Sequence, residues 1–175
     1  LQINIGDCVN STHFELLGGA QDHAAEIHEI FGNTPVLDRL DLAETTALCR
    51  YMAVYSAGRH TRLMQQGEPT NHMLIVLTGS VEAVQTNNDG SVCSRLSLAP
   101  GDSWGELALL NGEPVSATCV TTEPVDFLLI TRSAYKDLLL TFPRLANKLL
   151  LRFLHTASKR FEWAQSRLQV GASPL

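Results

Sequence analysis

Residues Gly101 to Val120 read GDSWGELALLNGEPVSATCV, and the reading of this stretch decides the fold. Gly105-Glu106-Leu107-Ala108-Leu109 has the form of a glycine turn opening a single helical turn. A helix N-terminus presents unpaired N–H groups and a partial positive charge, which suit an anion such as phosphate. A carboxylate at Glu106, inside the same turn, can accept hydrogen bonds from a sugar hydroxyl. A phosphate cradle beside a hydroxyl acceptor describes a ribose-phosphate pocket. The bland alternative is a turn between two strands with Glu106 in solvent, and composition alone favours it.

Around this stretch, from Ala53 to Thr131, short apolar runs alternate with turn residues: Gly58, Gly67-Glu68-Pro69, Thr78-Gly79, Asn87-Asn88-Asp89-Gly90, Pro100-Gly101 and Asn111-Gly112. Short strands at such regular spacing mark an antiparallel sandwich or barrel. Asp89-Gly90 is the strongest hairpin turn, flanked by Val81-x-Ala83 and Val92-x-x-Leu96. Phe127-Leu128-Leu129-Ile130 is apolar throughout, as a strand covered on both faces would be.

The ends of the chain look helical. A helix is expected from a Ser11 or Thr12 cap to Phe31, weakened by Gly18-Gly19 and broken by Asn33-Thr34-Pro35, and a second from Leu37 to Cys49. After the strands, Ser133 is expected to cap a short helix over 133–140. Pro143, well placed in a first turn, starts a long helix over 143–168. In it Leu150, Leu154, Ala157, Phe161, Ala164 and Leu168 repeat every four, three, four, three and four residues, the period of a coiled coil. The seam either covers the domain's own core or joins two copies of the chain, and its length favours a homodimer through residues 143–168.

The 175 residues, 45% hydrophobic and 18% charged, suit one ordinary soluble domain with an aliphatic core. A net charge of −5 argues against a dedicated nucleic-acid binder. The charge is uneven. Residues 1–50 hold eight acids against Arg39 and Arg50, and 142–168 hold Arg144, Lys148, Arg152, Lys159, Arg160 and Arg167 against Glu162 alone. These stretches are two solvated helix faces, or the acidic start packs near the basic end, or the basic helix meets an anionic partner. Apolar runs such as Met73 to Leu77 are far shorter than a membrane span, and no basic head precedes an apolar stretch as in a signal peptide. Cys8, Cys49, Cys93 and Cys119 lack metal-site spacing, so reduced, buried thiols and a cytoplasmic location are expected.

The stretch 101–120 resembles the phosphate-binding cassette of the cyclic-nucleotide-binding domain family, whose pattern is Gly-Glu-apolar-small-apolar, a short loop, then Arg-small-Ala. Gly67-Glu68-Pro69-Thr70-Asn71-His72-Met73-Leu74-Ile75-Val76-Leu77-Thr78-Gly79 resembles a second family motif, a glycine-acid step followed by apolar residues and a glycine. The resemblance covers about residues 37–168 and resembles catabolite-activator sensor domains without their helix-turn-helix. It implies an α+β fold: an eight-stranded antiparallel β-roll of the double-stranded jelly-roll type, with N-terminal helices and a long C-terminal dimerisation helix. The expected division is a helical extension over 1–36, the binding domain over 37–168 with its β-roll at about 53–132, and a tail over 169–175.

Carried over residue by residue, the resemblance implies that Glu106 binds a ribose 2′-hydroxyl while amides of Leu107 and Ala108, after Gly105, hold the phosphate. Ser116 and Ala117 match the small pair after the family's arginine. The arginine itself is replaced by Val115, which offers neither donor nor charge. A charge-assisted hydrogen bond contributes ~1.5–3 kcal/mol, so cyclic nucleotide affinity is expected to fall by at least about one to two orders of magnitude. The hydroxyl pair that contacts adenine in bacterial regulators falls at Arg160-Phe161, and Arg160 either reaches the pocket to supply the missing cation or is simply solvated.

A cupin-type metal site is disfavoured, because His72 stands without a second histidine and His13, His23, His28, His60 and His155 are scattered. No Ser/His/Asp or Cys/His arrangement is legible either. The chain ends in Gly171-Ala172-Ser173-Pro174-Leu175, which reads as a tail, so no recognition helix and no direct nucleic-acid binding are expected unless the chain is part of a longer protein. The expectation is a non-enzymatic, dimeric, cytoplasmic sensor without a cofactor. Its ligand is a weakly bound cyclic nucleotide (cAMP or cGMP) or another small anion, or the cassette is an empty interaction scaffold.

Overall fold

The computed structural model describes residues 14–35 and 37–170, with side chains described to residue 165. Nine strands among them form two antiparallel sheets: β1 (Phe14–Gly19), β2 (Ala53–Ala57), β3 (Arg62–Met64), β4 (His72–Val76), β5 (Val81–Thr86), β6 (Val92–Leu98), β7 (Ser103–Trp104), β8 (Thr118–Thr121) and β9 (Val125–Thr131). One sheet has the order β1-β2-β9-β4-β7 and the other β3-β8-β5-β6. β2 to β9 are the eight strands of the expected roll, with β1 added at an edge.

Strand periodicity divides the apolar residues between two cores. Along β9, Phe127 and Leu129 point between the sheets, while Leu128 and Ile130 point at the helices. β4 does the same, with Leu74 and Val76 inward and Met73 and Ile75 towards the helices. Each such side chain contributes roughly 1.5–3 kcal/mol on burial, which explains why β9 is apolar at every position from 127 to 130.

The helical core is covered by α1 (Ala24–Gly32), α2 (Leu42–Cys49), α4 (Arg132–Thr141) and α5 (Pro143–Val170). The short helix α3 (Glu106–Asn111) lies in the cassette. α2 opens with a capping box in which the Asp41 side chain accepts from Glu44 N at 2.7 Å and Glu44 accepts from Asp41 N at 3.1 Å. The hairpin at Asp89-Gly90 forms as expected, with Gly90 at φ +83° between β5 and β6. The basic helix and the acidic start meet at Lys148, whose Nζ lies 2.6 Å from Glu44 Oε1 and donates to Arg39 O at 3.4 Å.

Three boundaries differ from the expectations. The helix expected up to Phe31 begins only at Ala24; Phe14–Gly19 is strand β1, paired with Ala53–Ala57, with a bulge between Leu16 and Gly18. The Ser11/Thr12 cap lies outside the described residues. Leu37–Arg39 forms a separate 3₁₀ turn before α2. α4 is capped by Thr131, whose side chain accepts from Ala134 N at 3.2 Å, rather than by Ser133.

Candidate functional site

Gly105 begins the site. Its φ of +95° is a left-handed conformation that glycine adopts without strain, and it turns the chain from β7 into α3. A Cβ there would stand 2.9 Å from His72 O and 3.0 Å from Met64 Cε, so the cassette packs directly onto β4. The two motifs also meet through the backbone: Gly67 N donates to Val115 O at 2.8 Å, and Val115 N donates to Glu68 O at 3.1 Å. At its far end, α3 is held by Arg132, whose Nε donates to Leu109 O at 3.0 Å and whose Nη2 donates to Ala108 O.

Glu106 is 7% exposed, and both carboxylate oxygens have partners. Ser103 Oγ donates to Oε1 at 2.6 Å, and Arg160 Nη1, from α5, donates to Oε2 at 3.1 Å. Arg160 Nη2 also donates to Ser103 O, and its guanidinium lies 4.3 Å from the centroid of the Trp104 ring. Stacking on indole and a fork of hydrogen bonds are the two contacts arginine makes better than lysine. A carboxylate has about four acceptor positions, so Glu106 retains capacity for a hydroxyl.

Two cavities adjoin at this pair. The smaller, about 280 Å³, lies between α3, the 113–116 loop and α5, and is bordered by Gly105, Glu106, Leu107, Ala108, Val115, Ser116 and Arg160. The larger, about 660 Å³, lies between the β5–β6 face and α5, and is bordered by Ser116, Ala117, Arg160, Arg152 and Lys159 among others. Trp104, Ser116 and Arg160 border both. The structure therefore brings all eight residues singled out in the sequence to one pair of cavities. Val115, 4% exposed, stands at the smaller one and presents no donor to it.

Sequence reasoning missed Ser103, Trp104 and Arg152. The first two precede Gly105 directly, and Arg152 precedes Arg160 by eight residues on the same helix. Arg152 is 6% exposed; its Nη2 donates to Gly101 O at 3.1 Å and lies 4.0 Å from Asp102 Oδ1. Burial lowers its pKa, an effect that the carboxylates of Asp102 and Glu106 oppose. Cys119, beneath the site, is buried and its thiol is pushed up to about 12 by desolvation.

Most of the α5 seam is uncovered by the described residues. Leu154 is 58% exposed and Phe161 63%, and Ala157 and Ala164 are exposed as well. Leu150 is half-buried, while Leu145, Ala146, Leu149 and Phe153 face the helical core. The Leu168 side chain lies outside those described. No helix among the described residues is long and apolar enough to cross a membrane.

A two-sheet β-roll carrying a glycine-opened helix and a buried glutamate, closed by a long C-terminal helix, defines a class of ligand-sensing domain. The profile of the cyclic nucleotide-binding domain family matches residues 54–142, and this chain belongs to that family. It is 31% identical to a cyclic nucleotide-binding domain from Methylobacillus flagellatus, with a TM-score of 0.82 and coverage of 93% of this chain and 92% of that one. It is also 32% identical over 95 residues to a cAMP-dependent protein kinase regulatory subunit of Mycosarcoma maydis, covering 54% of this chain. Over 118 residues it is 26% identical to a cyclic nucleotide-gated potassium channel of Mesorhizobium japonicum, covering 67% of this chain. The matched segments make up 18% and 31% of those two relatives' length.

Proposed function

We propose that this chain is a non-enzymatic, cytoplasmic sensor module that binds a cyclic nucleotide weakly, with Glu106 accepting the sugar hydroxyl and Arg160 supplying, from α5, the cation that Val115 does not. The observation that carries this reading is the Arg160–Glu106 pair, 3.1 Å apart at the meeting of the two cavities. A guanidinium there is already desolvated on one side by Trp104, so it interacts with an incoming phosphate more strongly than a solvated arginine would. It also competes with the ligand hydroxyl for Glu106, which lowers affinity.

The same contact supports a regulatory mechanism. A ligand that draws Arg160 away from Glu106 repositions α5, the helix whose apolar seam we propose joins two copies over residues 143–168. Two relatives with regulatory names, a kinase regulatory subunit and a gated channel, support a signalling role over catalysis.

The test is calorimetric titration of the protein, Val115→Arg and Arg160→Ala with cyclic AMP and cyclic GMP. Position 115 borders the smaller cavity, so an arginine there has space to enter it. Restoring one charge-assisted hydrogen bond should tighten binding by about tenfold or more, and removing Arg160 should weaken it by about tenfold. No binding by the protein or by a folded Val115→Arg variant would reject the reading in favour of a ligand-free scaffold.

A further inference from the structure

Arg152 has more donors than partners. A guanidinium carries five N–H donors. Here Nη2 donates to Gly101 O at 3.1 Å, and Nε is buried without a hydrogen-bond partner among the described residues. Its nearest carboxylate, Asp102, stands at 4.0 Å, and the other oxygen of that carboxylate accepts from Ala99 N at 2.9 Å, which anchors it in its own loop. A buried cation left short of partners is costly, and an anion held by its remaining Nη donors would offset part of that cost.

The surroundings give that anion room. Arg152 borders the larger cavity, about 660 Å³, together with His155, Thr156, Lys159 and Arg160 on one face of α5. Spacings of four and three place these residues along a single side of the helix. Arg152 lies eight residues before Arg160, about 12 Å along the helix axis, so it serves a different part of the cavity from the Glu106 pair. Lys159 is engaged with Glu162 at 3.0 Å and Arg160 with Glu106, which leaves Arg152 as the cation on this face without a hydrogen-bonded carboxylate among the described residues.

We infer that the cavity between the β5–β6 face and α5 contains an oxyanion subsite centred on the Arg152 guanidinium, which takes a phosphate-type group. The subsite goes beyond the reading above, because it requires neither the cassette nor a cyclic phosphate. Its ligand is free inorganic phosphate or the phosphate of a nucleotide.

The experiment is titration of the full chain with inorganic phosphate at constant ionic strength, followed by calorimetry and by the ¹H–¹⁵N signal of Arg152 Nε. Saturable binding is expected, weakened about tenfold or more in Arg152→Met. In Asp102→Asn, where the competing carboxylate is gone and Arg152 is kept, binding should tighten. No saturable binding, equal binding by Arg152→Met, or unchanged binding by Asp102→Asn would overturn the subsite. Competition by 5′-AMP would identify the nucleotide as the source, and phosphate binding without such competition would identify the free ion. Phosphate binding with no response to cyclic nucleotide would keep this subsite and reject the preceding reading; cyclic nucleotide binding without phosphate binding would do the reverse.

Discussion

Arg160 on α5 and Glu106 on α3, 54 residues apart in the chain, share a hydrogen-bonded ion pair of 3.1 Å that joins the long helix to the cassette. The carboxylate is almost fully buried and the guanidinium about one quarter exposed, so solvent screens the pair only in part. Removing the cation leaves Glu106 with Ser103 as its remaining side-chain partner among the described residues. Arg160→Ala should lower the unfolding free energy by about 1–3 kcal/mol, and by less in a Glu106→Gln background. Urea denaturation of the four proteins in this cycle measures the coupling. A coupling near zero would show that the pair adds nothing to stability and that α5 is held by its apolar contacts alone.

The seam offers a second prediction. Leu154 and Phe161 are more than half exposed, so replacing both with glutamate removes little from the domain itself, within about 0.5 kcal/mol at each surface position. If the seam joins two copies, the double variant is a monomer in sedimentation equilibrium while the unmodified chain is a dimer. Equal masses would show that these residues do not hold an interface.

What was legible in the sequence was local. The glycine turn at 105, the hairpin at Asp89-Gly90 and the wholly apolar β9 each announce their structure within a few residues. β1 was not legible, because Leu16 and Leu17 also fit a helical period, and what makes them a strand is pairing with residues 53–57, nearly forty positions away. The α4 cap was misplaced by two residues, since Thr131 and Ser133 both carry hydroxyls at the turn and are hydrogen-bonded to each other at 3.0 Å.

The site divides the same way. Glu106 and its neighbours form one continuous motif and could be singled out directly. Arg160 lies 54 residues from Glu106 on another element, and whether it is solvated or turned to the pocket depends on how α5 lies over the roll. Arg152 gave no signal, because its burial depends on Gly101 and Asp102, about fifty residues earlier, closing over it.

Gly105 allows a direct test of the cassette's placement. Alanine there must hold φ +95° and set a methyl 2.9 Å from His72 O, closer than such contacts normally come. Strain of this kind costs about 1–3 kcal/mol, and for a chain of this size Gly105→Ala should lower Tm by about 3–10 °C. Hydrogen exchange should accelerate over 103–112 and stay unchanged in the β5–β6 hairpin. An unchanged Tm would mean that the cassette can lift from β4 without cost.

His72, whose carbonyl faces that glycine, adds a pH dependence. Its Nδ1 lies 2.9 Å from Thr70 Oγ1, and burial pushes its pKa down from 6.5 to about 4. The unfolded chain therefore binds the proton more readily than the folded one between these two values. Stability contributed by neutral His72 is complete above about pH 6.5, falls as the pH drops, and is gone near pH 4, a loss of at most about 3 kcal/mol. Carboxylates titrate in the lower part of this window too, so the comparison is with His72→Asn, which keeps a polar group but cannot take up a proton there. Urea midpoints from pH 7.5 to 4 should fall less steeply for the variant, whatever its stability at pH 7.5. Parallel curves would mean that the ring is protonated at no cost in the folded chain, and that β4 opens to water beside the cassette.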